Sequence, residues 1–302
     1  MSTASAKSIA IIGVGGIGTY ILRAFLNLPN RPKIVVFTRS DSKGKAVPDD
    51  LASVPIVSVD YTDVAALTTL FKDHAVDVVI STLASSPAAQ KAQYSLADAA
   101  KAAGSVKLFA PSEWGLPTEG AKERGESNVF AVKDEFADHL KSIGLPYARF
   151  YTGLFAGYLP WLIALDVTSS AHILGKGDKP LTVTSETDIG GFVAHVLTSY
   201  PLSSPELVNQ SFRIQGQSIT LNEAAQIYGK SIVYIAEGGQ VPAGSEGESG
   251  HKAALQAEVE GGRATVGWDR RAGTYSSELA GSANKLWQGH VWQTLESIVG
   301  KN

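Results

Sequence analysis

The stretch "SIAIIGVGGIGTYILRAFL", residues 8–26, sets an apolar run, four glycines and a segment of helical period side by side near the start of the chain. A short β-branched run followed directly by a glycine turn and then by apolar residues at helical spacing predicts strand, tight loop and helix in that order. Gly13, Gly15 and Gly18 form G-x-G-x-x-G, with Gly16 as an extra glycine. In that context Gly13 permits a tight turn, Gly15 lets the backbone approach a pyrophosphate, and Gly18 lets helix and strand pack closely. The helix dipole and free amides favour the phosphate charge.

Outward from this loop, β-branched runs and helical segments alternate. The order is "SIAII", a helix from about residue 16, "KIVVFT", "DVAALTTLFKDH", "VDVVIST", "PAAQKAQYSLADAAKAAG", "VKLFAPS", "NVFAVKDEFADHLKSIG" and "PYARFY". Strict alternation implies right-handed crossovers and a parallel sheet covered on both faces, so the fold class is α/β with a Rossmann-type doubly wound sheet. The rhythm breaks after about residue 152. An aromatic apolar segment follows, then a turn at "GKGDKP", a strand "PLTVTS", a helix from Asp188, a strand "SFRIQG", and a helix at "TLNEAAQIYG" that Thr220 or Asn222 is placed to cap. Residues 237–250, "EGGQVPAGSEGESG", read as a mobile loop. The expected division is a dinucleotide-binding domain over 1–155, with 182–216 returning to it, and a smaller C-terminal substrate lobe built from 156–181 and 217–302.

Composition narrows the function classes. The chain has 302 residues, 44% hydrophobic and 18% charged, enough to bury a large core. Its net charge of −3, with scattered Lys and Arg, argues against nucleic acid as a partner. The most apolar later stretch, "GLFAGYLPWLIAL", is shorter than the roughly 20 residues of a membrane span, so a cytoplasmic protein with no membrane partner is expected. No cysteine is present, which excludes thiolate nucleophiles and Cys-ligated metals, and the six histidines never fall as a close pair, so no metal site is expected.

The second strand ends in "VVFTRSDSKG", residues 35–44. Where an NAD-binding unit carries an acid for the adenosine ribose, this chain has Thr38 and Arg39, with Lys43 close by. A guanidinium cannot accept the ribose hydrogen bonds but pairs with a 2′-phosphate, which favours NADP(H) over NAD(H).

Four later motifs carry a resemblance. "VDVVISTLAS" (76–85), "VKLFAPSEWG" (106–115), "VFAVK" (129–133) and "LPYARFYTGLFAGY" (145–158) stand in the order and spacing of the isoflavone reductase and phenylcoumaran benzylic ether reductase group. The chain thus resembles these atypical short-chain dehydrogenase/reductases of the NmrA-like family over roughly its first 215 residues, and more loosely beyond. The resemblance implies an oxidoreductase that uses NADPH to reduce a small aromatic or conjugated substrate, with Lys133 as its catalytic residue. It implies a cofactor set of Gly13, Gly15, Gly16, Ile17, Gly18, Arg39, Lys43, Thr82, Ser112 and Lys133, and a substrate set of Trp114, Phe155, Tyr158 and Trp161. A homodimer is compatible with it.

Some residues depart from related patterns. An ordinary short-chain dehydrogenase places Tyr four residues before its lysine; here Val129 holds that position, so Lys133 must act itself or through water. Gly153 stands where the plant reductases carry Asn, which puts the plant substrates in doubt. Ser112 and Glu113 suit either cofactor positioning or tying down their loop. A second reading is a non-catalytic NmrA-like protein that senses NADP(H); retention of Lys133 favours the enzyme. A nucleotide-sugar epimerase fits less well, since Tyr-x-x-x-Lys is missing.

Overall fold

The computed structural model describes residues 5–39, 51 and 53–300. These form two compact units: unit 1 comprises residues up to Trp114, Thr118–Phe150 and Ile189–Phe212, and unit 2 comprises Gly115–Pro117, Tyr151–Asp188 and the segment from Arg213 onward.

Unit 1 is organised by the expected alternation: β1 (Ser8–Ile12), α1 (Gly16–Leu26), β2 (Lys33–Arg39), β3 (Ile56–Val59), α2 (Val64–Asp73), β4 (Val78–Ser81), α3 (Pro87–Ala103), β5 (Leu108–Ala110), α4 (Val129–Ser142) and β6 (Ala148–Tyr151). β1 to β5 form one parallel sheet in the order β3-β2-β1-β4-β5. The reversal of strand order beside β1 creates the crevice at which α/β sheets bind ligands. The strands β1 and β4 are buried along their whole length, as their near-continuous Val and Ile content requires of a sheet covered on both faces. Ile12, Phe37, Val79, Phe109, Leu67, Phe71, Leu96 and Phe136 share one core cluster with α2, α3 and α4. Each such buried side chain contributes about 1.5–3 kcal/mol. Side chains start the helices: Asp63 accepts from Ala66 N, Ser86 from Ala89 N, and Asn128 from Phe130 N and Ala131 N.

Two elements differ from expectation. β3 was not anticipated, because "IVSV" is short and half exposed and its periodicity is faint. β6 joins the main sheet through one bridge, Phe109 to Tyr147, and pairs instead with β10 (Gln210–Arg213).

Unit 2 contains β7 (Leu154–Phe155), a 3-10 turn at Ala156–Tyr158, α5 (Leu159–Leu162), β8 (Ala171–Leu174), β9 (Leu181–Thr184), the start of α6 (Glu186–Ser199), β11 (Gln217–Ile219), α7 (Leu221–Ile227), β12 (Ile232–Ile235) and α8 (Glu246–Glu260). Thr220 caps α7 in a full capping box with Glu223. The expected mobile loop at 237–250 is corrected in its second half. Ser245 accepts from Glu248 N and starts α8, with Glu246 and Glu248 in the first turn. A Ser-x-x-Glu cap and favourable acids outweigh the glycines at 247 and 250, whose propensity cost is only about 1 kcal/mol each. Among the described residues, no helix is long and apolar enough to cross a membrane.

Candidate functional site

The carboxyl ends of β1, β2, β4 and β5 bring most of the cofactor candidates to one edge of the unit 1 sheet. Gly13 turns the chain with φ +88°, a conformation costly for any residue with a Cβ. At Gly18 a Cβ would lie 2.6 Å from both Gly13 O and Thr82 Oγ1, so only glycine allows this approach of helix to strand. Thr82 ties the loop down, its hydroxyl lying 2.8 Å from Gly13 O and 3.1 Å from Ile12 O. At Gly15 and Gly16 a Cβ would meet nothing within 4 Å. Gly15 opens α1, which has no side-chain cap and no acid in its first turn, while Ile17 is buried beneath it. Amides left open at a helix N-terminus, with clear space before them, suit a pyrophosphate. The residues present therefore fit a dinucleotide. Arg39 ends β2, next to β1, and is exposed. Lys43 lies outside the described residues.

The segment after β5 is held from beneath. The Ser112 amide donates to Gln93 Oε1 at 2.8 Å and its hydroxyl to Leu83 O at 2.6 Å. Trp114 is buried; its indole Nε1 donates to Ser81 O at 2.7 Å and its ring stacks on Phe150 at 5.4 Å. It holds φ +34°, rare for so bulky a residue, and those contacts keep it there. Trp114 thus supports this loop by packing.

Lys133 lies in the second turn of α4, and its Nζ donates to the carbonyl of Glu113 at 2.7 Å. The side chain is half-buried. Burial pushes its pKa below that of an ordinary lysine, Glu113 partly restores it, and Arg149 adds to the depression. Beneath this pair lies a buried cluster. Arg149 Nε donates to Glu113 Oε1 at 2.8 Å, Nη1 and Nη2 donate to Asp134 Oδ1 at 3.3 Å, and Nη2 also donates to Thr118 Oγ1. Thr118 in turn donates to Glu113 Oε2 at 3.0 Å, and Asp134 accepts the Gly120 amide at 3.0 Å. The Glu113 side chain is thus spent on its loop while its carbonyl meets Lys133. Sequence reasoning missed Arg149 and Asp134. The signal was a charged residue inside the strand "ARFY" and an acid beside Lys133, since charges are rarely buried unless paired.

In unit 2 the other aromatic candidates form a row. Phe155 meets Tyr158 edge-on at 5.5 Å between ring centres, Tyr158 meets Trp161 at 6.1 Å, and Tyr158 is 52% exposed. Trp161 is anchored from behind by Glu248 on its Nε1 and by the buried Lys252 ammonium 5.3 Å from its ring. Gly153, the departure from the plant pattern, has φ +67° and a Cβ there would lie 2.4 Å from Thr182 O, so the backbone requires glycine. Among the described residues no cluster of His, Asp or Glu is arranged to hold a metal ion.

The model of the NmrA-like family matches residues 5–249, most of the chain. The chain belongs to the NmrA-like family. Among curated NmrA-like relatives, it is 30% identical over 289 residues to oxidoreductase BOA1 of Botryotinia fuckeliana, covering 89% of each chain. It is 32% identical over 248 residues to isoflavone reductase homolog P3 of Arabidopsis thaliana, covering 77% of this chain and 76% of that one. The fold is similar to that in the crystal structures of pinoresinol-lariciresinol and phenylcoumaran benzylic ether reductases, with TM-score 0.76, 21% identity and 98% of each chain covered. It is also similar to leucoanthocyanidin reductase from Vitis vinifera in complex with NADPH, with TM-score 0.74, 21% identity, and 97% and 98% of the two chains covered.

Proposed function

We propose that this NmrA-like protein is an NADPH-dependent reductase of a small aromatic or conjugated compound, in which Lys133 assists proton transfer. The observation that carries the reading is Lys133 itself: a half-buried ammonium with a depressed pKa, held on the Glu113 carbonyl at the same sheet edge as the open glycine loop. Membership of a family whose relatives here are named as reductases supports the redox class. Bound NADPH would supply hydride. Gly13, Gly15, Gly16, Ile17 and Gly18 would hold its pyrophosphate, with Thr82 and Ser112 keeping the loop edges in place. Arg39 would meet the 2′-phosphate, and such charged hydrogen bonds are worth about 1.5–3 kcal/mol each.

Lys133 holds a proton more loosely than a surface lysine does, because burial disfavours its charged form. It can therefore give that proton to a developing oxyanion or to a water beside it. The Glu113 carbonyl aims the ammonium, and the Arg149 cluster keeps that carbonyl fixed. Phe155, Tyr158 and Trp161 would receive the aromatic part of the substrate, with Trp114 holding the loop that carries Glu113.

The test is an NADPH-oxidation screen across aromatic ketones, enones, quinones and benzylic ethers, followed by single-turnover hydride transfer with Lys133→Ala and Lys133→Arg at saturating NADPH. General acid–base assistance is typically worth about 10²- to 10⁴-fold, so Lys133→Ala should lose a rate of that size. Lys133→Arg should lose nearly as much, since a guanidinium does not release its proton. Unchanged rates would remove Lys133 from the mechanism. Tight NADPH binding with no turnover by the wild type on any compound would instead assign the protein to nucleotide sensing.

A further inference from the structure

Glu186 plays no part in the proton transfer described above, yet it sits on the aromatic row of unit 2. It is the first residue of α6, and its two carboxylate oxygens take the amide hydrogen of Gly157 at 3.1 and 3.4 Å. Gly157 lies between Phe155 and Tyr158 in the chain, and a Cβ at that residue would lie 2.6 Å from Glu186 Oε1. The carboxylate thus comes down directly on the segment that carries the rings. Its charge also reaches Tyr228, where burial and then Glu186 push the phenol pKa up to about 12. Among the described residues no Lys, Arg or His forms an ion pair with Glu186, and burial raises its own pKa above the usual carboxylate range.

A carboxylate has about four acceptor positions, and the amides of Gly157 and of Glu186 itself leave about half of them unused. A half-buried anion without a cation also repels any second anion brought beside it. Together with an exposed ring at Tyr158, these properties define a ligand that lays an aromatic face on the row and offers a neutral hydrogen-bond donor at its edge. We propose that Glu186 is a specificity-determining residue of the aromatic subsite, accepting a hydrogen bond from a hydroxyl on the ring and turning away rings that carry a carboxylate there. This rests on the aromatic-reductase reading and adds to it a selection by charge.

The test uses the full chain saturated with NADPH, titrated calorimetrically at mildly alkaline pH with para-propylphenol, para-propylanisole and para-propylbenzoate. These probes share a ring and tail and differ in donor and charge. In the wild type the phenol should bind about 10-fold more tightly than the anisole, the lower end for a hydrogen bond to a charged group, and the benzoate most weakly. Glu186→Ala should bring phenol and anisole within about 2-fold of each other, the hydrogen-bond acceptor being gone. The nearly isosteric Glu186→Gln should strengthen benzoate binding about 10-fold by removing the repulsion, and keeps the test in force if the alanine variant fails to fold. Equal ratios among the three ligands in wild type and Glu186→Gln would overturn the part given to Glu186 while leaving the aromatic reading intact. A wild type that binds NADPH but none of the three would overturn both.

Discussion

A Cβ at position 15 meets no protein atom within 4 Å, whereas one at position 18 would lie 2.6 Å from Gly13 O and Thr82 Oγ1. The two glycines of one motif therefore have different surroundings, open space at 15 and internal packing at 18. Residue 15 has φ −78° and ψ −176°, extended backbone that valine adopts readily. Gly15→Val should accordingly fold with a stability change under about 1 kcal/mol, yet lose the thermal stabilisation that NADPH gives the wild type. That stabilisation is about 2.7 kcal/mol at 100 times the dissociation constant. Gly18→Ala should destabilise the unliganded protein more than Gly15→Val does. Differential scanning calorimetry with and without NADPH separates the two, and a Gly15→Val protein that keeps the full NADPH shift would place the phosphate elsewhere. The packing role of Gly18 was legible in the sequence, because the order strand, glycines, helix already brings the first turn of the helix against the end of the strand.

At the scale of elements, α4 and the segment after β5 are joined to β6 by Arg149, which holds Glu113 and Asp134 with side chains 3%, 1% and 10% exposed. Buried pairs of this kind cost several kcal/mol of desolvation, so their loss hurts most when one partner alone is removed. Arg149→Met leaves the buried Glu113 and Asp134 carboxylates without the guanidinium that binds both, and should cost about 3–5 kcal/mol of unfolding free energy in urea. Arg149→Met combined with Glu113→Gln and Asp134→Asn should recover part of that loss, since no buried charge is then left unpaired. A single variant as stable as the wild type would show that the cluster contributes nothing. The elements themselves were legible from hydrophobic period, but this coupling was not. Arg149 is 15 residues from Asp134 and 36 from Glu113 in the chain, and no local pattern reveals which charges meet in the core. The same limit explains α8: its cap was written in the sequence as Ser245 and Glu248, but surrounding glycines hid a helix that is held in part by tertiary bonds, among them Gln256 Nε2 to Leu162 O at 2.7 Å.

For the whole molecule, the alkaline limb of stability should carry the mark of Tyr228. Its pKa is about 12 in the fold against 10.0 for a free tyrosine, so between those values the native state binds more protons than the unfolded chain. The stabilisation is therefore complete below pH 10.0 and is lost as pH rises towards about 12. Tyr228→Phe should show a shallower fall over that window in urea titrations at successive pH values, and parallel curves for the two proteins would refute the linkage. Lys133, with its lowered pKa, acts at lower pH and with the opposite sign, and it cancels in this comparison. By itself, the sequence determined the α/β class, the parallel order of helix and strand and the glycine turn between β1 and α1. Each of these rests on local period, turn chemistry or motif spacing, which short-range sterics and hydrogen bonding impose. Only the tertiary structure decided that Trp114 is packing, that Gly153 answers to Thr182, that Glu113 belongs to Arg149 and that Glu186 sits on the aromatic row. These depend on which atoms are desolvated together, and burial is a property of the folded chain rather than of any segment of it.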